Sequence, residues 1–505
     1  MARRDAVRIA TRVTTGIAGV AVLGLVVTGA LLLPPAPSDA SAPSVLVTPV
    51  ATDQQRVCPG GLLRPPAADA ASSTTAIAVG SAVVTSGSAT TGTTGSAPAV
   101  RTSSIQAPEV QGAASSAPSV LAVAGAVDDA PTDLAGAASE VATEADLAGL
   151  AAASCSEATA DAWLVGGATT TGRTTFVVLD NPSGVSSTVD LAITGEDGAV
   201  SAPGASGISV PAGGRRVLSL AGLAPDLASP VVHVESRGGQ VVARLEQSTV
   251  RGLLAGGVDW IGPSAAPSTA LTMTGLRIDS QAAPVAPVEG GDAPPAAEGG
   301  ATPGAGSDGG ADPDLVTAVR IAVPGSDDAD VSVSVAPEEG TDGTGTTFTI
   351  QADAGRTIDV PVSDLSDGRY SVTVQSSVPV TAAVRSVSGA AEGGATDFAW
   401  LPSAEALTRD ALVSVPAGPA PLLHLRNAGD QAAAVTARPT DGSASVSLDV
   451  PAGSEVSAAV EAGRTYLLEG AAGLTATVTL AEPGRSAALP VVPVLPAADP
   501  LRVHP

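Results

Sequence analysis

One order of short β-branched runs and turn signals occurs three times along this chain, and that recurrence constrains its fold more than any other feature. An opening strand and turn is read at Val177–Gly184, at Val319–Asp327 and at Leu423–Asp430. A run ending in an Asp-Gly or Glu-Gly turn follows: Val189–Gly198, Val331–Gly340 and Val435–Gly442. Next come a strand, a small-residue turn and a second strand: Ile208–Gly213 into Val217, Phe348–Gly355 into Ile358, and Leu448–Gly453 into Val456. A hairpin closes each copy, over Val231–Gln247, Tyr370–Ser386 and Thr465–Leu480. The first two copies end on Asp259-Trp260 and Ala399-Trp400, and the third on Leu489-Pro490 without a Trp. Strands at this spacing predict sandwiches. Three diverged copies of a unit of roughly 90 residues is the economical account.

The fold class expected is therefore all-β: tandem immunoglobulin-like β-sandwich repeats behind one N-terminal transmembrane helix. The sandwiches are placed at 161–281, 315–404 and 405–505, with an acidic Gly/Pro linker at 282–314. The linker holds Pro, Gly, Ala and acid with nothing apolar in period, as flexible spacers do. Residues 44–160 are rich in Ala, Ser, Thr and Gly. Strands are expected there at Val45–Val50, Thr75–Thr85 and Ser119–Val127, and a small-residue helix at Asp133–Ala153. Disorder over much of this region is the alternative.

Val13–Leu33 carries no charge and is long enough to cross a bilayer as a helix. Arg3, Arg4, Arg8 and Arg12 precede it, so residues 1–12 are expected to stay in the cytoplasm and the bulk to cross. A Pro-rich stalk follows at 34–43. Cleavage after Ala40, giving a secreted product, is the competing reading. Both put Cys58 and Cys155 in an oxidising compartment, where an even count favours a disulfide over two free thiols.

The formal charge of −26 excludes nucleic acid as a partner, because phosphate binding needs clustered Lys and Arg. The chain has no Lys and two Asn, Asn181 and Asn427; such avoidance of A-rich codons points to a GC-rich bacterial genome. Aromatic residues are 2 % of the chain, so the core is built from Val, Leu, Ala and Ile, and few rings remain to face a sugar.

Catalysis requires a nucleophile, base or metal held by partners. His233 and His424 lie within apolar strand runs and read as strand residues, and His504 is terminal. There is no G-x-S-x-G elbow, and the lack of Lys removes both an S-x-x-K pair and a phosphate loop. Acid clusters at Asp327–Asp330 and Asp308–Asp314 lack the spacing of a calcium loop. Trp260 and Trp400 read as packing residues, with a binding platform as the alternative. No catalytic, cofactor or metal residue is assigned, and Cys58 and Cys155 are the only residues given a bonding role.

The stretches Ala162-Trp163-Leu164-Val165-Gly166-Gly167, Gly172-Arg173-Thr174-Thr175 and Leu179-Asp180-Asn181-Pro182 resemble domain-of-unknown-function family 5719, a group of uncharacterised actinobacterial envelope proteins. Val210–Gly213, Val232-His233-Val234, Val258-Asp259-Trp260 and, upstream, Arg56–Gly60 continue the resemblance. It implies one N-terminal membrane segment and a secreted β-rich body, and it brings no catalytic residues. The function expected is a non-enzymatic extracytoplasmic scaffold or accessory factor for cell-surface machinery. Its partners would be envelope proteins or cell-wall components. A glycan-binding or glycan-active protein is the alternative.

Overall fold

The computed structural model describes residues 45–47, 53–66, 75–90, 98–127, 130–279, 315–363, 365–389, 396–492 and 501–503. Val13–Leu33, and with it the expected anchor, lies outside these residues. Among the described residues no helix is long and apolar enough to cross a membrane. The chain divides into two compact units, Ala51–Ala497 and a smaller one formed by Met1–Val50 with Ala498–Pro505. In the smaller unit Val45–Val47 pairs antiparallel with Leu501–Val503. The third repeat therefore does not run to the C-terminus, as the sequence reading had it.

Within the larger unit the same strand order occurs three times. The first repeat has eight principal strands: Asp161–Val165, Arg173–Asp180, Ser187–Gly195, Ile208–Val210, Arg215–Ser219, Val231–Gly238, Val242–Arg251 and Leu254–Ile261. One sheet runs first–sixth–third–fourth and the other fifth–second–seventh–eighth, all antiparallel. The third repeat matches it strand for strand: Ala411–Ser414, Leu422–Asn427, Ala433–Pro439, Val446–Val450, Glu455–Ala459, Thr465–Glu469, Leu474–Glu482 and Arg485–Pro490. The second repeat uses Ser268–Ile278, Ala318–Ala322, Ala329–Pro337, Thr346–Ala352 and Thr357–Pro361. Its sixth and seventh strands are one continuous segment, Gly368–Gly389, and Thr396–Pro402 closes it. The N-terminal half of that segment pairs with Ser268–Ile278 and Ala329–Pro337, and the C-terminal half with Ala318–Ala322 and Thr396–Pro402. Pro379 sits at the crossing, between the pairing of Ser376 with Val331 and that of Thr381 with Ala322.

Period-2 alternation builds each core. In Ser187–Gly195 the side chains of Val189, Leu191 and Ile193 are buried, while Thr188 and Ala192 face out. They pack with Val177, Leu179, Val232 and Leu245 from both sheets of the pair. Equivalent clusters fill the second and third repeats.

Two further placements differ from the sequence reading. Ser268–Ile278, assigned to the first repeat, pairs along Gly368–Gly389 and is the first strand of the second. Residues 282–314 therefore fall between two strands of one repeat rather than between repeats. Asp133–Ala153 is not a helix but the antiparallel pair Ala130–Thr143 and Ala148–Ser154. Its small residues serve close packing: a Cβ at Gly136 would run into Leu121 and Cys155.

Residues 53–156 form three small sheets. Gln54–Cys58, Ser119–Val123 and Arg101–Ser104 make one, and Leu62–Arg64, Ala76–Val79 and Val110–Gln111 a second. Val83–Thr90 joins the Ala130–Ser154 hairpin in the third. Cys58 and Cys155 are bonded, as expected, 97 residues apart. Such bonds form and persist in oxidising compartments.

Candidate functional site

The eighth strands of all three repeats, Leu254–Ile261, Thr396–Pro402 and Arg485–Pro490, converge on Ala148–Ser154 of the N-terminal region. Asp397 sits at the centre of this junction, fully buried. Its Oδ2 accepts hydrogen bonds from the backbone N–H of Leu150 (2.8 Å) and Ser486 (3.1 Å). Its Oδ1 accepts from Val258 (3.1 Å) and Phe398 (3.0 Å). One carboxylate thus ties the N-terminal region to all three repeats. Burial outweighs these donors and pushes its pKa up to about 7. Neighbouring Asp259 accepts from Trp400 N at 2.7 Å and is raised well above the carboxylate range, chiefly by burial. Gly149 and Gly257 take positive φ against Asp397, and a Cβ on either would strike it or Phe398.

Trp260 and Trp400 belong to this junction. Both are buried, at 2 % and 1 % exposure, and cannot be platforms for a ligand. The Trp260 indole N–H donates to Glu246 (2.9 Å), and that of Trp400 to Gln247 (2.8 Å). Burial pushes Glu246 up to about 8, against hydrogen bonds from Leu63 N and Trp260. Nearby, Asp180 receives Arg215 and Arg244, which outweigh its burial and lower its pKa. Arg320 pairs with Asp359 at 2.7 Å and donates to the carbonyls of Gly167, Ala228 and Pro230, joining the first two repeats. These buried charges hold structure together.

Two histidine clusters remain. On the first repeat Trp163 stacks on His233, with ring centroids 4.0 Å apart, and His233 Nε2 lies 2.7 Å from Asp161 Oδ2. Glu235 faces Asp161 across the strands. Trp163 also lines an open groove of about 260 Å3 with Asp161, Pro263, Glu405, Pro490 and Val492. The second cluster lies where the second and third repeats meet. His424 Nδ1 is 3.2 Å from Glu338 Oε2 and 3.3 Å from Glu455 Oε1, with all three residues buried. Burial opposes a charged imidazole, but the two carboxylates outweigh it and raise the His424 pKa. His424 also lines a cavity of about 420 Å3 with Gly275, Arg277 and Thr479. Sequence alone gives His233 and His424 no partners, because Asp161 lies 72 positions from His233, and Glu338 and Glu455 lie 86 and 31 positions from His424. Only strand register brings them together.

The sequence profile of the family of unknown function DUF5719 matches residues 107–463, more than half the chain. The chain belongs to that family. The DUF5719 match begins within the N-terminal region and runs through the first two repeats into the third. Comparison with curated proteins and with solved structures gave no match.

Proposed function

We propose that this DUF5719 protein is a non-enzymatic extracytoplasmic scaffold or accessory factor for cell-surface machinery. The observation that carries this reading is the Asp397 junction, which fixes four parts of the chain on one buried carboxylate. A catalytic carboxylate with a raised pKa stands in a cleft beside a substrate; this one is spent on backbone amides. The repeated strand order supports taking each sheet pair as an immunoglobulin-like sandwich. The disulfide supports an oxidising, extracytoplasmic setting. Val13–Leu33 is the membrane anchor in this reading, and the host is actinobacterial. Leu253 and Leu254, 92 % and 74 % exposed at a hairpin tip, offer an apolar contact for an envelope partner. In-cell crosslinking of the anchored chain tests the proposal: specific capture of membrane or wall-assembly proteins is expected, and loss of that capture in Leu253→Ser/Leu254→Ser.

Glycan binding is the second reading, and Trp163 is what favours it. It is the one Trp of the three whose ring borders an open groove, with Asp161 and Glu405 on the rim. Saturable binding to peptidoglycan or arabinogalactan that Trp163→Ala abolishes would put this reading first.

A further inference from the structure

We propose that Glu338, His424 and Glu455 form a binding site for one divalent transition-metal ion of the zinc class. One imidazole nitrogen and two carboxylate oxygens are a donor set that such ions take. The ligand atoms of the three residues all lie within 4.8 Å of one another.

The spacing fits an ion better than a hydrogen bond. In a tetrahedral zinc site with bonds of about 2.0–2.1 Å, neighbouring ligand atoms stand about 3.3–3.4 Å apart. The His424 Nδ1 separations from Glu338 and Glu455 are 3.2 and 3.3 Å. A charge-assisted N–H···O bond would close to about 2.7–2.9 Å. His424 Nδ1 makes no directed hydrogen bond to either carboxylate, and Glu455 Oε2 has no hydrogen-bond partner. Both atoms are buried. An unsatisfied carboxylate oxygen on Glu455, with an imidazole nitrogen held only at loose ion-pair distance, marks a place where a ligand belongs.

The surroundings orient the three donors as a metal site requires. His424 Nε2 is 2.9 Å from Thr479 Oγ1, which fixes the ring and turns Nδ1 toward the carboxylates. Glu455 Oε1 accepts from Gly275 N at 2.8 Å. Glu338 accepts from Arg369 Nε at 3.1 Å and from the Ser457 hydroxyl. His424, and the Gly275 and Arg369 that donate to the two carboxylates, also line the 420 Å3 cavity. Glu338 comes from the second repeat, and His424 and Glu455 from the third. A bound ion would clamp the two together.

The test is titration of the chelator-stripped full chain with Zn2+ and, separately, Co2+. One equivalent of each is expected, with the visible absorption of four-coordinate cobalt and its displacement by zinc. His424→Ala and Glu455→Gln should each weaken binding at least tenfold, while His233→Ala leaves it unchanged. Zinc should raise the melting temperature of the parent chain and of His233→Ala only. Glu455→Gln keeps the side-chain shape and an acceptor for Gly275 N, so it decides the matter if His424→Ala fails to fold. Absence of stoichiometric binding would overturn the proposal. So would undiminished binding by folded Glu455→Gln, or binding that His233→Ala abolishes.

Discussion

Asn181 and Asn427 make the same turn in the first and third repeats. The Asn181 amide donates to the carbonyls of Val185 (2.8 Å) and Val210 (3.2 Å), and that of Asn427 to Gln431 (2.7 Å) and Val450 (3.2 Å). Their Oδ1 atoms accept from Ser183 N (3.0 Å) and Gly429 N (2.9 Å). They are the only asparagines in 505 residues. Val323 holds the corresponding place in the second repeat, buried among apolar neighbours. Asn181→Ala or Asn427→Ala leaves a buried carbonyl without its donor. Each should cost about 1–3 kcal/mol in denaturant unfolding, whereas Val323→Ala should show only the loss of packing.

Stability should peak on the acid side of neutrality. Glu246, Asp259 and Asp397 all have raised pKa values, to about 8 and about 7 for the first and last. Between pH 5 and 8 the unfolded chain binds fewer protons than the folded one, so stability falls as pH rises. Asp180 and Asp359 are lowered by their arginines and lose their contribution only as pH drops below the ordinary carboxylate range. The melting temperature should therefore be highest near about pH 5, and Glu246→Gln should flatten the decline toward pH 8. A melting temperature that climbs steadily from pH 5 to 8 would refute this assignment.

Severing the spacer should not separate the molecule. Its N-terminal flank, Ser268–Ile278, is a strand of the second repeat, hydrogen-bonded along Gly368–Gly389. With a protease site inserted at Gly300, the two halves should co-elute after cleavage and part only in denaturant. Dissociation under native conditions would show that the strand belongs elsewhere.

Reduction of Cys58–Cys155 should loosen residues 53–156 and leave the third repeat intact. A closed loop of about a hundred residues is worth about 4–5 kcal/mol in the chain-entropy model. Mass mapping of a non-reduced digest should recover one linked peptide pair, and hydrogen exchange after reduction should rise first in Gln54–Cys58 and Ala148–Ser154.

The repeat was legible because its signals are local: alternating Val, Leu and Ile, and turns at Asn181-Pro182 and Asp441-Gly442. The matching of Trp260 with Trp400 also held, since both lie in eighth strands. What escaped was register. Nothing near Ser268 says that its partners lie about a hundred residues on, so local signals alone group it with the strands before it. The Ala-rich run Asp133–Ala153 has helix-forming composition, but its neighbours, Leu121 and Cys155 among them, demand small side chains in an extended chain. The Asp397 junction was invisible for a related reason. Its donors, Leu150, Val258 and Ser486, contribute backbone N–H groups, which carry no residue-type signal.

The claim that one carboxylate locks the N-terminal region and three repeats into a single scaffold is tested most directly by hydrogen exchange. Amides at Leu150, Val258 and Ser486 should be among the slowest in the protein. In Asp397→Asn, whose side chain turns an N–H2 toward some of these donors, exchange should rise together in the three separate peptides that contain them. A rise confined to the peptide around residue 397, with Leu150, Val258 and Ser486 unchanged, would contradict the account.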